Sequence, residues 1–469
     1  MPISTFMGLE TALRGILAQQ RGLDVTSHNV ANANTTGYTR QRAELVATPA
    51  FTYPSVSRPP QAGQIGTGVE VAEYVRIRDE FVDLQLRTQL ARHGYADARR
   101  DGLGQVELAL REPSDTGLST LLDRYWSAWH DVSVNPESMS ARQALAESGA
   151  VLADGFRNLS GQLATITAQT GQNVTITTAE LNDLGTNLAS LNRSIWERLV
   201  HGDTPNDLMD QRDALIDQLA ELGSVSLADA DGDGSLTISV NGVTLVDEDT
   251  AYTLSESSGS LVNATLGQTQ ALAGRPGKLA GLVELRDTTL PGYQATLDTI
   301  AAALVASTNA IQAAGFDLTG TSGAANGSGG QLFTGTSAAT IGWNPAVQAD
   351  PGLIAASGNG QPGNADAALA QAALRTTAVI GPSSLPTAYA QLVTTVGSDA
   401  REAQTNLANA TVLADSLENR RQSISGVSLD EEMVSLVKFQ RAYQASARAL
   451  SAMDEMIELL VTRTGRVGL

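Results

Sequence analysis

Cysteine is absent from this 469-residue chain, which excludes a disulfide framework, a thiolate metal site and a cysteine nucleophile together. Aromatic residues make up only 4%, so a core has to be built from Ala, Leu, Val and Ile, a composition suited to long packed helices. Lysine is confined to Lys278 and Lys438, and 30 basic residues face 50 acidic ones for a formal charge of -20, which argues against nucleic acid as a partner. No run reaches the roughly 18 apolar residues of a membrane span, so membrane insertion is not expected. The first residues, Met1-Pro2-Ile3-Ser4-Thr5-Phe6-Met7, have no basic segment followed by an apolar run. They predict a protein that is either cytoplasmic or exported without a cleaved signal peptide.

What is present is helical patterning with charge held in the middle. Residues 1–50 carry Arg14, Arg21, Arg40 and Arg42 against Glu10, Asp24 and Glu44, while 229–256 carries seven acids and no base. Near the start, Phe6, Leu9, Leu13, Ile16 and Leu23 follow alternating steps of three and four, with Gln20 and Ser27 as polar interruptions. Near the end, Leu429, Met433, Leu436, Tyr443, Leu450 and Ile457 continue that rhythm, with Gln440 as a polar interruption. Both stripes read as coiled-coil-like seams too thin to form a core alone. Two helices lying on one globular core and two helices packing on each other are both compatible with the periodicity.

The first helix runs into Ser27-His28-Asn29-Val30-Ala31-Asn32-Ala33-Asn34-Thr35-Thr36-Gly37-Tyr38. Asn is a poor helix former and Gly37 can take the left-handed conformation, so the chain turns there. Residues 43–68, with prolines at 49, 54, 59 and 60, are predicted extended, and 69–74 a short strand. From 79 to about 222 the pattern is helical, with breaks expected near Glu112-Pro113, Asn135-Pro136, Gly171 and His201 to Pro205. Leu236, Ile238 and Val240 then alternate with Thr and Ser, and Asn241-Gly242 supplies a hairpin turn. Residues 281–314 read as helix, 315–363 as loop plus a little strand, 366–374 as helix, and the remainder as helix relaxed near 423–428.

Few motifs point to chemistry. Asp229, Asp231 and Asp233 with Gly234 occupy the early positions of a calcium loop, but the twelfth position is Val240 rather than a bidentate Glu, so an acidic hairpin turn is the better reading. His28, His93, His130 and His201 lack zinc-ligand spacing, and Gly327 to Gly330 is not followed by the Lys and helix of a phosphate cradle. Asp207, Asp210, Asp213 and Asp217 share one helix face with Arg212 beside them, which reads as a solvated face rather than a metal site. No acid, base and binding loop come together, so neither catalysis nor a cofactor is expected.

The Asn-rich turn before Gly37-Tyr38 resembles the signature of flagellar rod, hook and hook-associated proteins. Gly426-Val427-Ser428-Leu429-Asp430-Glu431-Glu432 and Phe439-Gln440-Arg441-Ala442-Tyr443-Gln444-Ala445 are similar to the hook-associated protein 1 (FlgK) family. Interior runs at 206–213, 277–282 and 309–318 resemble its middle body. Thr36 stands where the family often has Pro, and Ser446 where it often has Asn.

The resemblance implies a mainly α fold with smaller β-rich parts, elongated and nested. Residues 1–42 plus 427–469 would form an inner terminal helical domain. Residues 43–223, 275–314 and 387–426 would form a rod-like body, 224–274 a β-hairpin element, and 315–386 a reduced outer region. It implies a structural subunit at the hook-filament junction, extracellular on the flagellum. The subunit would assemble with its own copies in a helix or ring, with hook protein and with the second hook-associated junction protein, and would be exported by the type III pathway with a chaperone on its C-terminal region. The expected assembly interface is Phe6, Leu9, Leu13, Ile16, Leu23, Asn29, Asn32, Asn34, Gly37, Tyr38, Leu429, Met433, Leu436, Phe439, Gln440, Tyr443, Leu450 and Ile457. Alternatives are a hook or distal rod protein and, resting on Asp229 to Asp233, a secreted calcium-binding adhesin.

Overall fold

The computed structural model describes residues 6–51, 65–229 and 232–463. Pro54, Pro59, Pro60 and Asp231 lie outside them. The chain opens with α1 (Met7–Ala31), a hairpin of β1 (Gln41–Ala47) and β2 (Val69–Arg76), and the helices α2 (Glu80–Leu110), α3 (Leu118–Val134), α4 (Met139–Val200) and α5 (Asn206–Leu222). Seven short strands follow: β3 (Val225–Ala228), β4 (Thr237–Val240), β5 (Val243–Asp247), β6 (Thr250–Ala251), β7 (Leu254–Ser257), β8 (Ser260–Asn263) and β9 (Gln268–Ala271). Then come α6 (Lys278–Glu284), a π-helical turn over Leu285–Thr289, α7 (Leu290–Ala314), β10 (Phe333–Thr334), β11 (Gly342–Trp343), α8 (Pro345–Ala349), α9 (Asp366–Ala373), α10 (Leu385–Ser425) and α11 (Leu429–Arg463). The protein is mainly helical with smaller β parts.

Local chemistry explains several of these boundaries. Asp79 starts α2 by accepting hydrogen bonds from the backbone N–H groups of Phe81 and Val82 at 3.0 and 3.3 Å, and Ser138 does the same for α4 through Ala141. Asn241 and Gly242 join β4 to β5 with φ of 51° and 86°, the left-handed pair that matches strand twist in a two-residue turn. Pro291 lies at the start of α7 and has no N–H to donate, and the wider π turn before it absorbs the missing bond.

The break expected at Gly171 does not occur: α4 runs uninterrupted for 62 residues, about 93 Å at 1.5 Å per residue. A helical glycine costs about 1 kcal/mol relative to alanine, and burial of Thr170 and Val174 on either side outweighs it. The helix is a spine for two cores. Leu145, Leu152, Phe156 and Leu163 pack with α3, α7 and α10, and Tyr125, Trp129, Phe333 and Trp343 join this core in edge-to-face contacts. Farther along, Val174, Leu181 and Leu188 pack under Ile238, Val240, Val243 and Leu245, so the four-stranded sheet β3-β4-β5-β6 and its neighbour β7-β8-β9 sit against the second half of α4. The long α10 lies along α2, and after residues 426–428 the chain turns so that α11 lies along α1.

Candidate assembly interface at the paired termini

The first and last helices pack antiparallel in steps of seven. A Cβ built on Gly8 would stand 2.7 Å from Met453 Sδ, one on Gly15 3.1 Å from Ser446 Oγ, and one on Gly22 2.7 Å from the ring of Phe439. The next step is polar: Asn29 Nδ2 donates to Glu432 Oε2 at 3.1 Å. Small residues let the backbones approach, so the line facing α11 is Gly8, Gly15 and Gly22 rather than the larger apolar stripe read from the sequence. Leu9, Ile16 and Leu23 lie beside that line, half-buried, as do Leu436, Phe439, Leu450 and Ile457 on α11. Leu13 is 44% exposed, and Phe6, Leu429, Met433, Gln440 and Tyr443 are also largely on the outside. Leu17, Val434, Val437 and Met456 extend this outward apolar surface. The glycine spacing was the signal in the sequence that periodicity of large residues concealed.

The Asn-rich turn forms a hub. Asn29 is buried, and each of its hydrogen-bonding sites is used: Nδ2 donates to Glu432 and to Gln41 O at 2.9 Å, while Oδ1 accepts from Tyr38 Oη at 2.7 Å and from Gln41 N at 3.0 Å. Arg40 donates to Glu432 at 2.6 Å and Glu431 at 2.5 Å, and its backbone N–H reaches Ser425 O at the end of α10. Asn32 ends α1 by donating to His28 O, and Gly37 takes φ of 80° so that the chain can reverse. Asn34 is exposed. Burial, reinforced by Asp207, Asp210 and Glu432, pushes the Tyr38 hydroxyl well above the usual phenol range and keeps it a donor.

The acidic face of α5 is not solvated. Asp210 and Asp213 bind Arg76 at 2.9 and 2.8 Å, Asp213 and Asp217 bind Arg87 at 3.1 and 2.8 Å, Arg78 bridges Asp83 and Asp213, and Arg421 of α10 binds Asp217. Asp210 also accepts from the backbone N–H of Thr39, which ties the turn to the body. Only Asp207 of the four stays open, near His28 and Gln41. Arginines from three other elements convert a stripe that looks hydrated in sequence into a buried joint between the terminal hairpin and α2, α5 and α10. Arg212 points the other way, to Asn192 Oδ1 and Gly234 O, and burial beside Arg76 pushes its guanidinium down to about 10.

In the acidic turn, Asp229 accepts from Gly232 N and Asp233 from Ser235 N, so both carboxylates serve their own backbone. Among the described residues no cluster of His, Asp and Glu is arranged to hold a metal ion, and no helix is long and apolar enough to cross a membrane. A cavity of about 370 Å³ opens between α1 and β2, lined by Arg14, Leu17, Arg21, Glu73 and Asp203. Its mixed charge offers no convergent set of donors.

Comparison with known proteins agrees with this architecture. The profile described as the flagellar hook-associated protein FlgK helical domain matches residues 103–333. Those described as flagella basal body rod protein and flagellar basal body rod FlgEFG protein C-terminal match 9–39 and 419–462. Flagellar hook-associated protein 1 of Bacillus subtilis (strain 168) is 33% identical over 98% of this chain and 99% of its own length. The Escherichia coli (strain K12) protein of that name is 26% identical over 97% and 99%. The solved flagellar hook junction protein FlgK from Burkholderia pseudomallei superposes with a TM-score of 0.62 at 17% identity, covering 73% of this chain and all of that one, which speaks for the fold. With helical body, terminal segments and near full-length identity in agreement, this chain belongs to the flagellar hook-associated protein 1 family of structural flagellar components.

Proposed function

We propose that the chain polymerises at the distal end of the hook and adapts it to the filament. The observation that carries this reading is the α1–α11 pair, closed on its inner line by glycines and polar contacts while Leu13, Leu17, Met433, Val434 and Val437 face outward. An apolar surface of this kind on two projecting helices suits contacts with neighbouring copies, and further with hook protein on one side and the second hook-associated junction protein on the other. The interface residues are Leu9, Leu13, Ile16, Leu23, Leu429, Met433, Leu436, Phe439, Gln440, Tyr443, Leu450 and Ile457, with Phe6 at the end of α1 and Asn29, Asn32, Asn34, Gly37 and Tyr38 shaping the turn. In this reading 1–42 and 427–469 form the inner layer, and the helical body, the β-rich segment 224–274 and the segment 315–386 lie outward. Export proceeds by the flagellar type III route without a cleaved signal, with a chaperone covering the C-terminal region until assembly.

Deleting Leu429 to Leu469 tests this. A soluble, folded body is expected, in cells that build complete hooks and release flagellin into the medium. Normal filaments on such cells would overturn the assignment. A hook or distal rod protein is the rival reading, favoured by the rod-like terminal segments; cells lacking such a protein would fail to complete hooks at all.

A further inference from the structure

Seven-residue spacing makes the α1–α11 seam nearly self-similar. Gly8, Gly15 and Gly22 meet Met453, Ser446 and Phe439. Sliding α11 by one heptad toward the start of α1 seats Phe439 against Gly15 and Ser446 against Gly8. Sliding it the other way seats Ser446 against Gly22 and Met453 against Gly15. Glycine presents no side chain in any of these arrangements, so close packing chooses weakly among them.

The polar end of the seam is different. In the observed register the Glu432 carboxylate, 2% exposed, receives Asn29 on one oxygen and Arg40 on the other. One heptad toward the start of α1, that carboxylate faces Gly22 with neither donor, and α11, which begins at Leu429, brings no residue opposite Asn29. One heptad the other way, the Phe439 ring lies on Asn29 and Glu432 passes the end of α1. Each alternative strands buried polar groups that the observed register satisfies. We propose that Asn29 and Glu432, backed by Arg40, set the register of the antiparallel pair over a glycine track that by itself admits several. A buried polar residue performs this role in heptad-based coiled coils generally.

A second restraint is the short connection at 426–428, because a heptad slide moves α11 by about 10.5 Å. The test therefore relaxes it, inserting about six Gly and Ser residues between Val427 and Ser428, enough slack for that slide. The chain contains no cysteine, so introduced pairs report without background. Gly15→Cys with Ser446→Cys reports the observed register: the built Cβ lies 3.6 Å from Ser446 Cβ, inside the range of about 3.5–4.5 Å for disulfides. Gly8→Cys with Ser446→Cys reports the slide. Purified full-length protein is oxidised at low concentration and the intrachain product is followed on non-reducing gels and by peptide mass.

With Asn29 and Glu432 present, the 15–446 pair is expected to close at least about tenfold faster than the 8–446 pair even in the relaxed chain. Adding Asn29→Ala and Glu432→Ala brings the two rates to within about threefold. The second variant, Asn29→Leu with Glu432→Leu, keeps the helices packed through apolar contact and releases the register in the same way. Equal rates in the relaxed chain with both polar residues intact would overturn the proposal. So would exclusive 15–446 closure in both substituted chains, which would give the register to seam shape, or failure of every pair to close. None of these readouts depends on whether cells lacking α11 make filaments.

Discussion

The ring of Phe439 fills the space where a side chain on Gly22 would begin, with ring carbons 2.7 to 2.9 Å from the built Cβ. Both atoms belong to helices whose separation is fixed by neighbouring contacts at Gly15 and Asn29, so neither backbone can withdraw locally. Gly22→Leu should therefore force the pair apart, at about 1–3 kcal/mol. Segment-resolved hydrogen exchange should show α1 and α11 exchanging faster while α4 is unchanged. Wild-type protection in both helices would mean that the seam does not depend on this contact.

Gly104 supplies the opposite case. It lies inside α2, and nothing stands within 4 Å of a Cβ built there. Gly104→Ala should stabilise the body by about 0.5–1 kcal/mol through reduced freedom of the unfolded chain. Chemical denaturation reads this directly; a lower midpoint would show that the open position is occupied by something else.

Asp213 holds Arg76, Arg78 and Arg87 at once. Asp213→Asn keeps the size and removes the charge, leaving three neighbouring guanidinium groups short of a partner. A loss of roughly 3–5 kcal/mol is expected, weakly dependent on salt because the pairs are shielded. Thermal unfolding at low and high ionic strength tests it, and a change under about 0.5 kcal/mol would return the α5 stripe to the status of a hydrated face.

Glu256 of β7 accepts both terminal nitrogens of Arg286 at 2.8 Å and the backbone N–H of Gly259. The Arg286 guanidinium holds its carboxyl below the usual 4.5, against the opposing effect of burial. A depressed folded-state value means that the contribution is complete above the unfolded value and disappears as pH falls through the folded one. Wild type should exceed Glu256→Gln by on the order of 1 kcal/mol at neutral pH, and the gap should close in the acid range below about 4.5. A gap independent of pH would place the effect in packing.

Sequence alone determined the features that depend on near neighbours. Three-and-four periodicity made the two terminal helices legible, Gly37 and the asparagines made their turn legible, and Asn241-Gly242 announced its hairpin, because each signal is carried within a few residues. Tertiary structure decided what those elements face. The acids of α5 look hydrated until Arg76, Arg87 and Arg421 arrive from residues more than a hundred positions away, and Gly171 looks like a break until buried neighbours hold the helix through it. The line of α1 that meets α11 is its glycines, since the depth to which two helices approach is set jointly by both surfaces and cannot be read from either one.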